Sequence, residues 1–161
     1  MIWLPTLAFA FSHPAHCIAL GFGTGLAPFA PGTAGSLLAF PLYFVLKVWL
    51  SPLYFFGAIL VFFGIGVWAC ERTGRDLGIA DHGGMNWDEV VAMLLVLMFT
   101  PEHWAWWGLA FVAFRIFDIV KPPPIRHVDR KVKGGLGVMS DDIVAAFYTL
   151  LVLAAVKRIL D

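Results

Sequence analysis

Apolar positions fall into long runs, and polar positions gather between them. The clearest run is 53–70 (LYFFGAILVFFGIGVWAC), eighteen residues without a charge. As a helix it would be about 27 Å long, close to the thickness of a bilayer's hydrocarbon core. A second run, 36–50, precedes it across Ser51-Pro52 and is interrupted by Pro41 and Lys47. Runs at 90–100, 104–120 and 143–156 follow, with Pro101-Glu102-His103 as the turn between the first two. The stretches 2–11 and 15–22 are short and broken by Pro and Gly, which predicts interfacial or re-entrant pieces. Run 90–100 is short for a lipid-facing helix, so its ends need protein around them or a locally thinned bilayer. Trp3, Trp49, Trp104, Trp106 and Trp107 stand near run ends, where amphipathic rings settle. The expected architecture is all-α: a compact membrane-embedded helical bundle of about six helices, four to five of them spanning or near-spanning. It would form one domain over 1–161.

Composition supports lipid as the surroundings. Hydrophobic residues make up 60% and charged residues 14%, with a mean hydropathy of +0.83. Ordinary soluble domains run roughly 45–50% apolar and about 25% charged. That excess excludes disorder and most small soluble enzymes, and leaves an unusually greasy soluble bundle as the competing reading. The net charge is zero, so no global field recruits nucleic acid. Cys17 and Cys70 have no ligand-like spacing and read as buried small hydrophobes. The start lacks the basic stretch of a secretory signal, so it is expected to stay on the mature chain.

Charge placement gives an orientation. If the runs alternate in direction, segments 21–35, 71–89 and 118–142 share one face. With Arg115, that face holds eight of the eleven Lys and Arg residues, which marks it as cytoplasmic, and nine of the eleven acids. Lys157 and Arg158 fall on the opposite face, against this assignment.

Three polar clusters on that face carry the candidate chemistry. In 21–36 (GFGTGLAPFAPGTAGS), glycines and a following helix start would suit phosphate, with Thr33 and Ser36 as either phosphate contacts or plain caps. The GxG opening is weak evidence for a nucleotide fold, since no strand precedes it. In 81–89 (DHGGMNWDE), Asp88 and Glu89 open a membrane helix and Asp81 stands seven residues earlier, more acid than capping requires. His82 reads as a loop residue. In the third cluster, Arg115, Asp118 and Lys121 share a helical stripe, Pro122-Pro123-Pro124 ends it, and a Gly-rich approach leads to Asp141-Asp142 at another helix start. An Arg115–Asp118 salt bridge and an Asp141 cap would explain part of this set but not all of it. Asp88, Glu89, Asp118, Asp141 and Asp142 would converge from three helix ends as an oxygen-only set suited to Mg²⁺ or Mn²⁺. Lys121 and an arginine such as Arg115 or Arg130 would face phosphate oxygens. Such a site suggests phosphoryl chemistry on a lipid headgroup.

The segments GFGTGLAPFAPGTAGS (21–36), DHGGMNWDE (81–89), FRIFDIVKPPPI (114–125) and DRKVKGGLGVMSDDIVA (129–145) together resemble the phosphatidylglycerophosphatase A family. They run in family order from about residue 20 to the end of the chain. The resemblance implies a Mg²⁺-dependent membrane phosphatase that converts phosphatidylglycerophosphate to phosphatidylglycerol and inorganic phosphate. It also implies a helical bundle around a central helix, in the bacterial inner membrane, with the site facing the cytoplasm. Carried over by position, Asp88, Glu89, Asp118, Asp141 and Asp142 would form the shell of one or two Mg²⁺ ions, with Mn²⁺ as a possible substitute. Lys121 would be the catalytic cation and Asp81 the carboxylate for a general base. Thr33, Ser36, Arg115 and Arg130 would hold the substrate phosphate. The family pattern often has Gly where this chain has Ala92 and Ala146, each adding one methyl at an expected helix contact. A metal-held water is preferred as nucleophile over an aspartyl-phosphate route.

Two other functions compete. Intramembrane acids also mark divalent-cation or proton-coupled transporters, but those usually show internal repeats and broken mid-membrane helices. A phosphotransferase of the CDP-alcohol type would need a DGxxAR signature, and His-based lipid phosphatases their own His motifs; neither is present.

Overall fold

The structure is a computed structural model that describes residues 5–160, with backbone only at 128–130. The described chain is helical throughout: α1 (Leu7–Ala10), α2 (Pro14–Ala19), a 3-10 segment (Gly21–Leu26), α3 (Pro31–Trp49), α4 (Pro52–Leu77), α5 (Trp87–Phe99), α6 (Trp104–Val120), α7 (Ile125–Lys131) and α8 (Gly134–Leu160). Trp3 lies outside the described residues.

Helix α5 is the axis of the bundle. Val90, Val91, Ala92, Met93, Leu94, Val96 and Leu97 are all fully buried, as expected of a helix that is apolar on every side. It packs against α3, α4, α6 and α8. This explains the short run at 90–100: thirteen residues, about 20 Å, fall short of a bilayer, but protein rather than lipid surrounds them. In lipid the hydrophobic effect gives little force between helices, so close contact must supply it. Small residues provide that contact, with Ala69, Ala92, Ala110, Ala145 and Ala146 all fully buried. At Gly66 the α4 backbone comes so near Met139 and Trp87 that a Cβ would stand 2.6 Å from the Met139 sulfur.

Three helices, α3, α4 and α8, are long and apolar enough to cross a membrane. Their outward faces are apolar: Val48, Leu53, Tyr54, Leu60, Leu151 and Ile159 are all exposed. Two helices run further than the apolar pattern suggested. Helix α4 continues past Cys70 to Leu77, where Arg75 pairs with Glu71 and Arg72 with Asp76 at i,i+4 spacing. It stops at Gly78, whose φ of +71° is left-handed. Helix α8 begins at Gly134 rather than near 143, so Asp141 and Asp142 sit in its interior, not at its start.

The short N-terminal pieces fasten to the polar end of α4. His16 on α2 lies 3.0 Å from Thr73 Oγ1 through Nδ1 and 3.2 Å from Asp76 through Nε2, stacked on Phe9. Burial lowers the pKa of this imidazole from its ordinary value, and Asp76 opposes that only in part. Opposite the polar end, Lys47 of α3 pairs with Glu102 in the turn before α6, near the exposed Trp49 and Trp104 rings.

Candidate active site

The first turn of α5 places Asp88 and Glu89 beside Asp142 of α8. One carboxylate oxygen from each lies within 4.8 Å of the others. Asp88 Oδ1, Glu89 Oε2 and Asp142 Oδ2 are buried and have no hydrogen-bond partner among the described residues. Three crowded carboxylates with orphaned oxygens are costly unless a cation sits among them. Their chemistry fits a hard, oxygen-seeking divalent ion.

Arginine borders this cluster. Arg115 Nη1 lies 2.6 Å from Asp118 Oδ2 and 3.7 Å from Glu89 Oε1, and Asp118 in turn neighbours Asp142. Lys121 Nζ donates to Asp141 Oδ2 at 2.5 Å. The five acids singled out in the sequence therefore take different positions. Asp88, Glu89 and Asp142 cluster, Asp118 bridges them to Arg115, and Asp141 turns to Lys121 one residue along α8.

The start of α3 closes one side of the site. Gly32 comes so near that a Cβ there would collide with Glu89 Oε1 and stand 3.0 Å from the Arg115 guanidinium nitrogens. Helix α3 begins with Pro31 and has no side-chain cap, leaving its first donors at the cluster. Ser36 is buried and its hydroxyl donates to the Gly32 carbonyl at 3.0 Å, so it neither caps the helix nor points outward. Thr33 is half-buried on the first turn of α3. Asp81 stands apart: it is exposed and lines a cavity of about 280 Å³ with Val132, Lys133, Gly134 and Gly137. The side chain of Arg130 lies outside the described residues.

Backbone strain gathers at the same place. Phe22, Ala30 and Lys121 have φ of 55°, 47° and 46°, the left-handed region that non-glycine residues avoid at a cost of about 1–3 kcal/mol each. Ala30 caps α3 and Lys121 caps α6, where the unusual conformation accompanies the Nζ contact with Asp141.

Two residues of this region were not legible from their neighbours in the chain. Asn86, fully buried, donates through Nδ2 to Thr24 Oγ1 at 3.0 Å and to the Pro31 carbonyl at 2.8 Å. It thus joins the 3-10 segment, the start of α3 and the start of α5. It precedes α5 at the N-cap position, yet its side chain makes no capping bond there. Glu71 accepts from the Gly135 backbone at 2.8 Å, tying the end of α4 to the start of α8. Its position just after an apolar run marked only the edge of a span.

A family profile described as Phosphatidylglycerophosphatase A matches residues 17–157. An Escherichia coli (strain K12) protein named Phosphatidylglycerophosphatase A is 47% identical over 137 residues, 83% of this chain and 78% of that one. A Haemophilus influenzae protein of the same name is 40% identical over 154 residues, 95% of this chain and 94% of that one. A Bacteroides thetaiotaomicron protein with the provisional name phosphatidylinositol-3-phosphatase is 39% identical over 151 residues, covering 89% of this chain and 93% of that one. No solved structure matches the chain.

Proposed function

Because the chain belongs to the phosphatidylglycerophosphatase A family, we propose that it removes the terminal phosphate of phosphatidylglycerophosphate, yielding phosphatidylglycerol and inorganic phosphate in phospholipid biosynthesis. The enzyme works with Mg²⁺ in the bacterial inner membrane, its site facing the cytoplasm. The observation that carries this reading is the buried group Asp88, Glu89 and Asp142, with its orphaned oxygens beside Arg115 in an apolar-belted bundle.

Asp88, Glu89 and Asp142 would hold one or two ions, with Asp118 and Asp141 alongside, and Mn²⁺ would suit the same donors. Bound there, Mg²⁺ supplies charge neutralisation at phosphoryl oxygens and lowers the pKa of water. Arg115 and Lys121 neutralise the remaining phosphate charge, and the unpaired donors of the first turn of α3, at Gly32 and Thr33, orient the group. The Ser36 hydroxyl, bonded within α3, acts through its helix. In the overall step water adds to phosphorus, the bond to the lipid's glycerol oxygen breaks, and that oxygen leaves protonated. Asp81, which lines the cavity with Lys133 and Gly137, is the carboxylate that takes the water proton. Water is preferred to a carboxylate nucleophile because the clustered acids present themselves as ligands.

The test is phosphate release by the purified chain from phosphatidylglycerophosphate, phosphatidate and phosphatidylinositol 3-phosphate. Release from the first, dependent on Mg²⁺ and stopped by EDTA, is expected. Metal uptake into vesicles without hydrolysis would turn the reading to transport. Asp81→Asn should lower turnover by about 100-fold or more and flatten the acid limb of the pH profile; full activity would remove Asp81 from the reaction.

A further inference from the structure

Helices α5 and α8 leave the carboxylate cluster side by side and run the same way. Phe99 stands eleven residues beyond Asp88, and Leu153 eleven beyond Asp142, so the two positions lie at one depth. There α5 ends at Thr100, whose Oγ1 donates to the Val96 carbonyl at 2.7 Å. Helix α8 runs on past Leu153 to Leu160. Beyond Phe99 the axial helix no longer fills the space beside α8. A cavity of about 410 Å³ opens between the end of α5, Pro101 and α8.

Phe147, Leu150, Ala154 and Lys157 recur at three- and four-residue spacing on one face of α8, and this face lines the cavity together with Phe99. The walls are apolar except at Lys157. Phe99 and Phe147 are 60% and 57% exposed, so the walls continue onto the outer surface of the bundle. On a spanning helix that surface faces hydrocarbon. An apolar recess there holds no water, and an acyl chain is the molecule at hand to fill it.

Charge sets this cavity apart. A second one at the same end, about 250 Å³ between α3, α4 and α5, contains Lys47, but Glu102 also lines it and pairs with that lysine. Among the described residues no carboxylate pairs with Lys157 or Arg158. Arg158 follows Lys157 at the edge of the same helix face. These are the two cations that stand on the far face against the charge bias of the rest of the chain. Pro101, at the wall, opens the turn that leads to the exposed Trp104, a ring suited to the membrane interface. Cations at the interfacial end of an apolar recess suit a molecule with an apolar tail and an anionic head.

We propose that this cavity binds one anionic phospholipid, with an acyl chain along Phe99, Phe147 and Leu150 and its phosphate at Lys157 and Arg158. The site lies at the opposite end of the bundle from the carboxylates and does not depend on the phosphatase reading.

Photolabelling tests it. The full chain is placed in phosphatidylcholine vesicles with a trace of phosphatidylglycerol or phosphatidylcholine carrying a diazirine in mid-chain. The phosphatidylglycerol probe should label residues 99, 147 and 150 about fivefold or more above the phosphatidylcholine probe. Both probes should label Leu60 and Val61, exposed on α4, to the same extent. Lys157→Gln combined with Arg158→Gln should bring the ratio at the cavity to about one, and Lys157→Arg should keep it. Ala154→Trp, which fills the recess, should lower labelling there by both probes and leave Leu60 and Val61 unchanged. Equal labelling by the two probes in the wild type would overturn the site, and so would a preference that survives the double Gln variant. Crosslinking of the cavity residues to a second copy of the chain, in place of lipid, would overturn it as well.

Discussion

Asp142 is 2% exposed, and its Oδ2 finds no hydrogen-bond partner among the described residues although Asp88 and Glu89 crowd it. If a cation binds there, a group placed this way weakens the empty protein and strengthens the loaded one. Asp142→Asn should therefore raise the thermal midpoint in EDTA, because one of three crowded charges disappears. It should also abolish the midpoint increase expected of Mg²⁺ in the wild type and lower turnover by more than about 100-fold. A variant that keeps the Mg²⁺ shift would exclude Asp142 from the ion's shell. Asn86 has a different task. Asn86→Ala breaks two side-chain bonds between three segments, to Thr24 and to Pro31, at a cost of about 1–3 kcal/mol in a denaturation midpoint. Turnover should drop with it, since the start of α3 loses its tie to α5. The acids could be read from the chain because acidic pairs at the edge of apolar runs are expensive and stand out. Asn86 could not, because its partners lie 62 and 55 residues away.

At the scale of elements, two glycines set helix distances. Ala is ordinarily the better helix former by about 1 kcal/mol. Gly32→Ala should nevertheless lose at least about tenfold in turnover with the helical circular dichroism retained, because its methyl displaces Glu89 and crowds Arg115. Undiminished turnover would show that α3 does not define the site. Gly135→Ala should act on the fold instead. Its Cβ would meet the Val67 carbonyl and stand 2.7 Å from the Glu71 backbone nitrogen, so α4 and α8 must separate. A loss of about 1–3 kcal/mol or more is expected, seen as a lower thermal midpoint in detergent. The apolar runs located most of the elements, and 104–120 coincides with α6. They placed the ends of α4 and α8 badly, because a helix continues wherever i,i+4 ion pairs or tertiary contacts support it, apolar or not.

For the whole molecule, the polar ends of α3, α4, α5, α6 and α8 share one end of the bundle, tied by Glu71 to Gly135, Lys121 to Asp141 and Arg115 to Glu89. The opposite end carries Trp49, Trp104 and the Lys47–Glu102 pair. The charge asymmetry underlies the proposal that the first end faces the cytoplasm. With Cys17 and Cys70 replaced by Ala, a cysteine at exposed His127 should react with a membrane-impermeant thiol reagent only in inside-out vesicles, and one at exposed Trp104 only in right-side-out vesicles. The reverse pattern would put the site on the other face.

Sequence alone determined the helical class, the lipid surroundings and the polar clusters, since hydrophobic run length and the cost of charge in hydrocarbon are local properties of a chain. Tertiary structure decided that Asp88, Glu89 and Asp142 share one spot while Asp141, adjacent in the chain, turns to Lys121. It also decided that α5 lies inside the bundle. Those outcomes depend on how closely helices approach and rotate about one another. Small residues and buried polar ties set that geometry across separations of tens of residues, where a linear pattern holds no distances.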